Sequence, residues 1–356
     1  PLFDPVEFIG AVSSDVYDVY NSNEAQKPLL NRAISGTYPA ASTYKTFTGL
    51  AALANGFADM KRTWTCNGSW DGWGTGQEQM CWKHSGHGTL DLRGGIVQSC
   101  DVVFYQIAHD FFEAARDGQV SQTALQDYLA KFHFDRYTGI DLGGESVGVI
   151  PTPEWKLEHF RNTPEEAVWK GGDMTNMIIG QGYVLATPLQ LAVAYGAVAT
   201  GNIMKPHLLK EVHNAAGDVA ASFEPEVLDV PDVPAENLAT VRDALRGVAT
   251  ENAGIAALFD RYGVQAACKT GTAEHTDDED TAWFACYAPY DDPRYVVACL
   301  VEHGGGGSAV AAPLGAEILA AALAYDEGSL TEVGEIAGST GKSDVHASGG
   351  SGGRTD

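Results

Sequence analysis

Positive charge is scarce in this chain of 356 residues: 22 lysines and arginines face 47 aspartates and glutamates, a formal net charge of -25. A phosphate backbone needs a basic face to release its counterions, so the balance rules against nucleic acid as a partner. Long apolar runs are also missing. The longest, around Val296 to Val301, is far too short to span a bilayer. There is no signal-peptide pattern, and the first residue is Pro1 rather than Met, so the chain reads as a piece excised from a longer protein. Six cysteines at this length are too few for a disulfide-built scaffold and must be read one by one. A hydrophobic fraction of 44% remains, enough for an ordinary globular core.

Composition is mixed and without internal repeats from Pro1 to about Tyr325. After Asp326, Gly, Ser, Thr and charged residues replace apolar ones as far as Asp356, which reads as a flexible extension, 327–356. Within 1–326, apolar spacing predicts helices over Ser42 to Phe57, Val102 to Ala115 and Pro188 to Thr200. Strands are expected over Val264 to Thr272, Ala282 to Ala288 and Arg294 to Glu302. The turn Tyr290-Asp291-Asp292-Pro293 should join the last two as an antiparallel hairpin. Ala312 to Tyr325 is apolar and Ala-rich, a closing helix for that sheet. The fold class is α/β.

Three short motifs carry chemistry. In Ser42-Thr43-Tyr44-Lys45 the hydroxyl and the amine share one face of a helix start. A serine hydroxyl is a poor nucleophile until a base takes its proton. A lysine can be that base where burial and nearby positive charge favour its neutral form. Ser99-Cys100-Asp101 offers a second hydroxyl to shuttle a proton and a carboxylate to orient the lysine and substrate. Lys269-Thr270-Gly271-Thr272, at a strand end, offers a cation and two hydroxyls for a substrate carboxylate. Gly271 lets a substrate backbone lie close to the strand edge, and a backbone N–H here can form an oxyanion hole with that of Ser42. Each motif alone arises readily by chance; the ordered trio is far more specific and resembles that of β-lactamases and penicillin-binding proteins.

The surrounding residues narrow the resemblance. Asn31-Arg32-Ala33 through Tyr38-Pro39, Gly180-Gln181-Gly182-Tyr183 and Ala186-Thr187-Pro188-Leu189-Gln190-Leu191-Ala192 resemble class B penicillin-binding proteins. Thr138-Gly139-Ile140-Asp141-Leu142, Pro151-Thr152-Pro153-Glu154-Trp155-Lys156 and Asp101, where most relatives have Asn, resemble the elongation-type branch that builds the side wall. The resemblance covers about Phe3 to Tyr325. It implies an antiparallel sheet flanked by helices plus a mostly helical subdomain. It also implies a serine-type D-alanyl-D-alanine transpeptidase with Ser42, Lys45, Ser99, Asp101 and Lys269 catalytic and Thr270, Gly271 and Thr272 binding substrate. Stem peptides and β-lactams are the implied ligands. The partners would be an elongation-complex glycosyltransferase and scaffold proteins, reached through a membrane-anchored parent on the extracytoplasmic face. No catalytic cofactor is implied. Relatives begin with two strands that are not found upstream of Phe3-Asp4-Pro5, so domain 1–326 is expected to be truncated, with an open apolar edge on its last strand. The alternatives are a serine β-lactamase, a D,D-carboxypeptidase or a penicillin-sensing domain without turnover. The Gly180-Gln181-Gly182 and Thr187-Pro188 block speaks against the first two.

Cys66, Cys81, His87 and Cys100 form a Cys₃His inventory, common in tetrahedral zinc sites, but without a C-x-x-C pair. Elongation-type members have a metal site of Asp, Cys and His at matching positions. The readings left open are a structural zinc that fixes the Ser99–Asp101 loop, a Cys66–Cys81 disulfide, and unlinked thiols. Cys268, Cys286 and Cys299, on the late strands, read as core residues.

Overall fold

Every side chain from Thr281 to Ala288 is buried, a pattern only a strand covered on both faces can sustain. In the computed structural model, which describes residues 4–22, 27–74, 76–275 and 279–326, this strand is the centre of a three-stranded antiparallel sheet. The proposed extension, 327–356, lies outside the described residues. The sheet is formed by β1 (Ala267–Ala273), β2 (Thr281–Ala288) and β3 (Tyr295–Val301), in the order β1-β2-β3. All three were expected, with ends shifted by at most three residues. Among the described residues β3 is an edge strand, half-buried along its whole length.

Register decides which side chains reach the site. Lys269 pairs with Ala285 and Gly271 with Trp283. Directly opposed residues share a face, and Trp283, Ala285 and Tyr287 belong to the larger core, on the helical side. Alternation therefore turns Lys269 towards the helical subdomain. Phe284, Cys286 and Ala288 face the smaller core on the other side.

Six helices position the rest: α1 (Lys45–Ala54), α2 (Asp101–Arg116), α3 (Gly171–Ile178), α4 (Pro188–Thr200), α5 (Ala235–Glu251) and α6 (Ala312–Asp326). α4 packs on one face of the sheet and α6 on the other. α4 has the ends its sequence announces. Thr187 and Gln190 form a reciprocal capping box, Pro188 takes the first turn, and Gly201 ends the helix at φ +87°. The expected helix from Ser42 to Phe57 is shorter and composite. Ala41–Tyr44 is a 3₁₀ turn, and α1 runs only to Ala54, before Asn55 and the left-handed Gly56. By length and composition Gly307–Asp326 would suffice to cross a membrane, but here Ala312, Ala316, Leu319 and Leu323 pack against the sheet as a core helix does. Sequence patterning did not anticipate α5 or the exposed hairpin of Glu211–His213 and Val219–Ser222.

Candidate active site and metal centre

Ser42 lies in the 3₁₀ turn that opens α1, and Lys45 is the first residue of the helix proper. Both are buried. The turn is held from outside: Ala41 sits at φ +50° and its N–H donates to the Gly180 carbonyl at 2.8 Å. Gly180, at φ +73°, has no room for a side chain, because a Cβ there would come within 2.3 Å of the Ala41 carbonyl oxygen. The Gly180-Gln181-Gly182 segment is thus part of the site.

From α1 the Lys45 ammonium reaches the start of α2. Its Nζ donates to Asp101 Oδ1 at 2.7 Å, to the Ser99 carbonyl at 2.9 Å and, at 3.5 Å, to Ser99 Oγ. The ion pair is fully buried, with side chains 0% and 1% exposed. A buried pair is retained only when its remaining bonding capacity is satisfied. The second Asp101 oxygen accepts from the Trp82 backbone N–H at 3.0 Å, and the carboxylate sits at a helix N-terminus, where negative charge is favoured.

From the sheet, Lys269 Nζ donates to Ser99 Oγ at 2.8 Å and to the Thr270 carbonyl at 3.0 Å. Ser99, at φ +52°, therefore presents its hydroxyl between two lysines. A Cβ on Gly271 would lie 3.2 Å from Thr43 N and 3.3 Å from Ala41 Cβ, so the strand lies directly against the Ser42 turn. Thr272 Oγ1 accepts from the Gly307 N–H at 3.1 Å, and its carbonyl accepts from Gln181 Nε2 at 3.2 Å. The eight residues given roles in the three motifs thus lie on three adjoining segments, the Ser42 turn, the Ser99–Asp101 turn and β1. A cavity of about 660 Å³ beside it is lined by Tyr105, Asn176, Gln181, Glu274 and His275, among others. Trp82 is a site residue to which sequence reasoning gave no role, and Gln181 was quoted only as part of a family segment, without its contact to Thr272.

The cysteine inventory also converges. Candidate ligand atoms of Cys66, Cys81, His87 and Cys100 all lie within 4.8 Å of one another. His87 Nδ1 is 3.6 Å from both Cys66 Sγ and Cys81 Sγ. Tetrahedral zinc with bonds of about 2.3 Å to sulfur and about 2.05 Å to nitrogen requires a separation of roughly 3.6 Å between those atoms, so the donor set fits. A hydrogen bond from the Cys100 thiol, and then one from His87, hold Cys81 well below the usual thiol range, against the effect of burial. The same bond and burial push Cys100 up. Cys66 and Cys81 are not bonded to each other in this structure. Cys268, Cys286 and Cys299 lie on the three strands as expected, and burial raises each thiol.

Comparison with known proteins is consistent with this geometry. A family model described as the penicillin binding protein transpeptidase domain matches residues 7–320. The peptidoglycan D,D-transpeptidase MrdA of Haemophilus influenzae is 33% identical over 340 residues, covering 90% of this chain and 49% of that protein. The chain spans about half the length of the curated relatives it matches, 49% of two MrdA proteins. Among solved structures, a penicillin-binding protein (PBP2) of Helicobacter pylori in complex with MreC has a TM-score of 0.74 at 29% identity, covering 91% of this chain and 56% of that one. Penicillin-binding protein A of M. tuberculosis, as an imipenem acyl-enzyme, has a TM-score of 0.70 at 27% identity, covering 90% and 69%.

Proposed function

From the fact that the chain belongs to the penicillin-binding protein transpeptidase family, we propose that it is the acylating core of an elongation-type peptidoglycan D,D-transpeptidase. Ser42 is the nucleophile. Lys45 rests as an ammonium paired with Asp101 and must first give up a proton; the neutral amine then takes the Ser42 proton as Oγ attacks the carbonyl of the penultimate D-Ala of a stem peptide. The ester forms as the bond to the terminal D-Ala breaks, and Ser99, bonded to both Lys45 and Lys269, passes a proton to the departing amine. Asp101 orients Lys45. Lys269, Thr270 and Thr272 hold the terminal carboxylate, and Gly271 lets β1 lie against the Ser42 turn. The backbone N–H of Ser42 and one on β1 stabilise the oxyanion. An amine from a second stem peptide then resolves the ester and returns Ser42 its proton. The observation that carries the reading is the buried chain of bonds from Asp101 through Lys45 and Ser99 to Lys269.

Cys66, Cys81, His87 and Cys100 would hold a zinc ion whose contribution is to fold stability, next to the Ser99–Asp101 turn. The chemistry needs no other cofactor. The range 1–326 forms the transpeptidase domain. The parent protein would act at the outer face of a bacterial cytoplasmic membrane with a glycosyltransferase and scaffold proteins. A relative solved in complex with MreC supports a protein partner for the parent.

The test is the intact mass of the chain followed over time with penicillin, with adducts mapped by digestion. A persistent adduct on Ser42, lost in Ser42→Ala, is expected. A transient adduct would point to a β-lactamase instead, and no adduct on the folded chain would defeat the assignment.

A further inference from the structure

Trp82 stands where the cysteine cluster meets the catalytic turn. Its neighbour Cys81 belongs to the cluster, and its ring meets the His87 ring edge to face, centroids 5.2 Å apart. On the other side it makes two bonds. Its backbone N–H donates to Asp101 Oδ2 at 3.0 Å, and its indole N–H donates to the Gln98 carbonyl at 3.1 Å. These two acceptors bracket Ser99, which is held at φ +52°, a conformation that persists only where surrounding bonds over-determine it.

We propose that Trp82 is a positioning residue for acylation: it clamps the Gln98–Asp101 turn from both ends and so transmits the order of the Cys/His cluster to the Lys45–Asp101 pair. This rests on the transpeptidase reading and deepens it. Trp82 touches no reacting atom. It sets where Asp101 holds Lys45 relative to Ser42, so its influence belongs in the chemical step rather than in β-lactam docking.

The probe is penicillin, with the acylation rate constant separated from the dissociation constant of the initial complex. Trp82→Phe keeps a ring against His87 but has no indole N–H. Its acylation rate constant should fall about fivefold, the kinetic equivalent of one neutral hydrogen bond, with the initial dissociation constant, melting temperature and zinc content unchanged. In an Asp101→Asn background the same substitution should cost less than about twofold, because residues acting through one another are not additive. An equal loss in both backgrounds would overturn the proposal, as would an acylation rate matching wild type. A readout on the folded protein needs no Trp82 variant. Asp101→Ala should speed hydrogen exchange of the Trp82 amide at least tenfold, and chelation of the metal should speed it too; unchanged exchange in both overturns the clamp. Absence of any adduct on the wild-type chain would instead sink the transpeptidase reading and this inference with it.

Discussion

Removing Asp101 tests whether the centre of the site is a true ion pair. Its carboxylate is 2.7 Å from Lys45 Nζ, and water reaches neither side chain. In Asp101→Ala the lysine keeps the Ser99 carbonyl at 2.9 Å and a long contact to Ser99 Oγ, but no counter-charge. Leaving one member of a buried pair uncompensated costs about 3–5 kcal/mol. In Asp101→Asn the amide oxygen can still accept from Lys45, so the loss should be about 1–2 kcal/mol. At roughly 1.5 °C per kcal/mol for about 320 residues, from about 2.1 cal/mol/K per residue, alanine should lower the melting temperature by about 6 °C and asparagine by about 2 °C. Denaturant titration followed by tryptophan fluorescence would give the free energies, and a fluorescent penicillin would show whether each variant still acylates. If Asp101→Ala proves no more than about 1 kcal/mol less stable than wild type, Lys45 is not relying on Asp101 for its charge, and the orienting role fails with it.

Cys81→Ser should bring bound zinc from about one ion per chain to below about 0.1, measured by mass spectrometry of the metal, because three donors remain where a structural site uses four. Equal zinc in the variant and wild type would remove the cluster as the ligand set. Gly180→Ala places a Cβ 2.3 Å from the Ala41 carbonyl oxygen at φ +73°, so it should cost at least about 2 kcal/mol and slow acylation of Ser42; normal acylation would show that the 3₁₀ turn does not depend on Gly180. Glu302 accepts from Tyr38 and Arg32, both at 2.7 Å. Burial acts to raise its carboxyl, but these bonds outweigh it and hold the group below the ordinary value. Such a group adds stability above its unfolded value, and the gain is lost as pH falls through the folded one. Glu302→Gln should therefore be less stable than wild type at pH 7, with the gap closing below about pH 4; denaturant midpoints that keep a constant gap would count against it.

The three motifs were legible because each is contiguous and carries its chemistry in side chains. The sheet was legible for a related reason: unbroken small and apolar runs bounded by turn residues leave few other choices. What could not be read works through the backbone or across long separations. Gln181 reaches the Thr272 carbonyl over 91 residues, and Trp82 holds Asp101 with a main-chain N–H that any residue but proline would supply. The start of α1 was misplaced because Ala41, a residue with no local preference for positive φ, is held there by its bond to Gly180. The cysteine and histidine spacing showed an inventory, and only folding brought Cys100 back onto Cys66 and Cys81.

Strain at Ala41 can be set against what holds it. A non-glycine residue in the left-handed region costs about 1–2 kcal/mol, which Ala41→Gly would relieve. The same change removes a fully buried methyl, worth about 0.8 kcal/mol, and loosens the unfolded chain by about 0.4–1 kcal/mol. The contributions nearly cancel, so global stability should move by less than about 1 kcal/mol. Acylation should not be spared. The methyl lies against Gly271, and without it the Ser42 turn and β1 lose a fixed contact across the position the carbonyl would occupy. The expected pattern is an unchanged denaturant midpoint with a slower acylation rate constant. A variant equal to wild type in both would mean that the Gly180 carbonyl alone, through its bond to Ala41, sets the nucleophile.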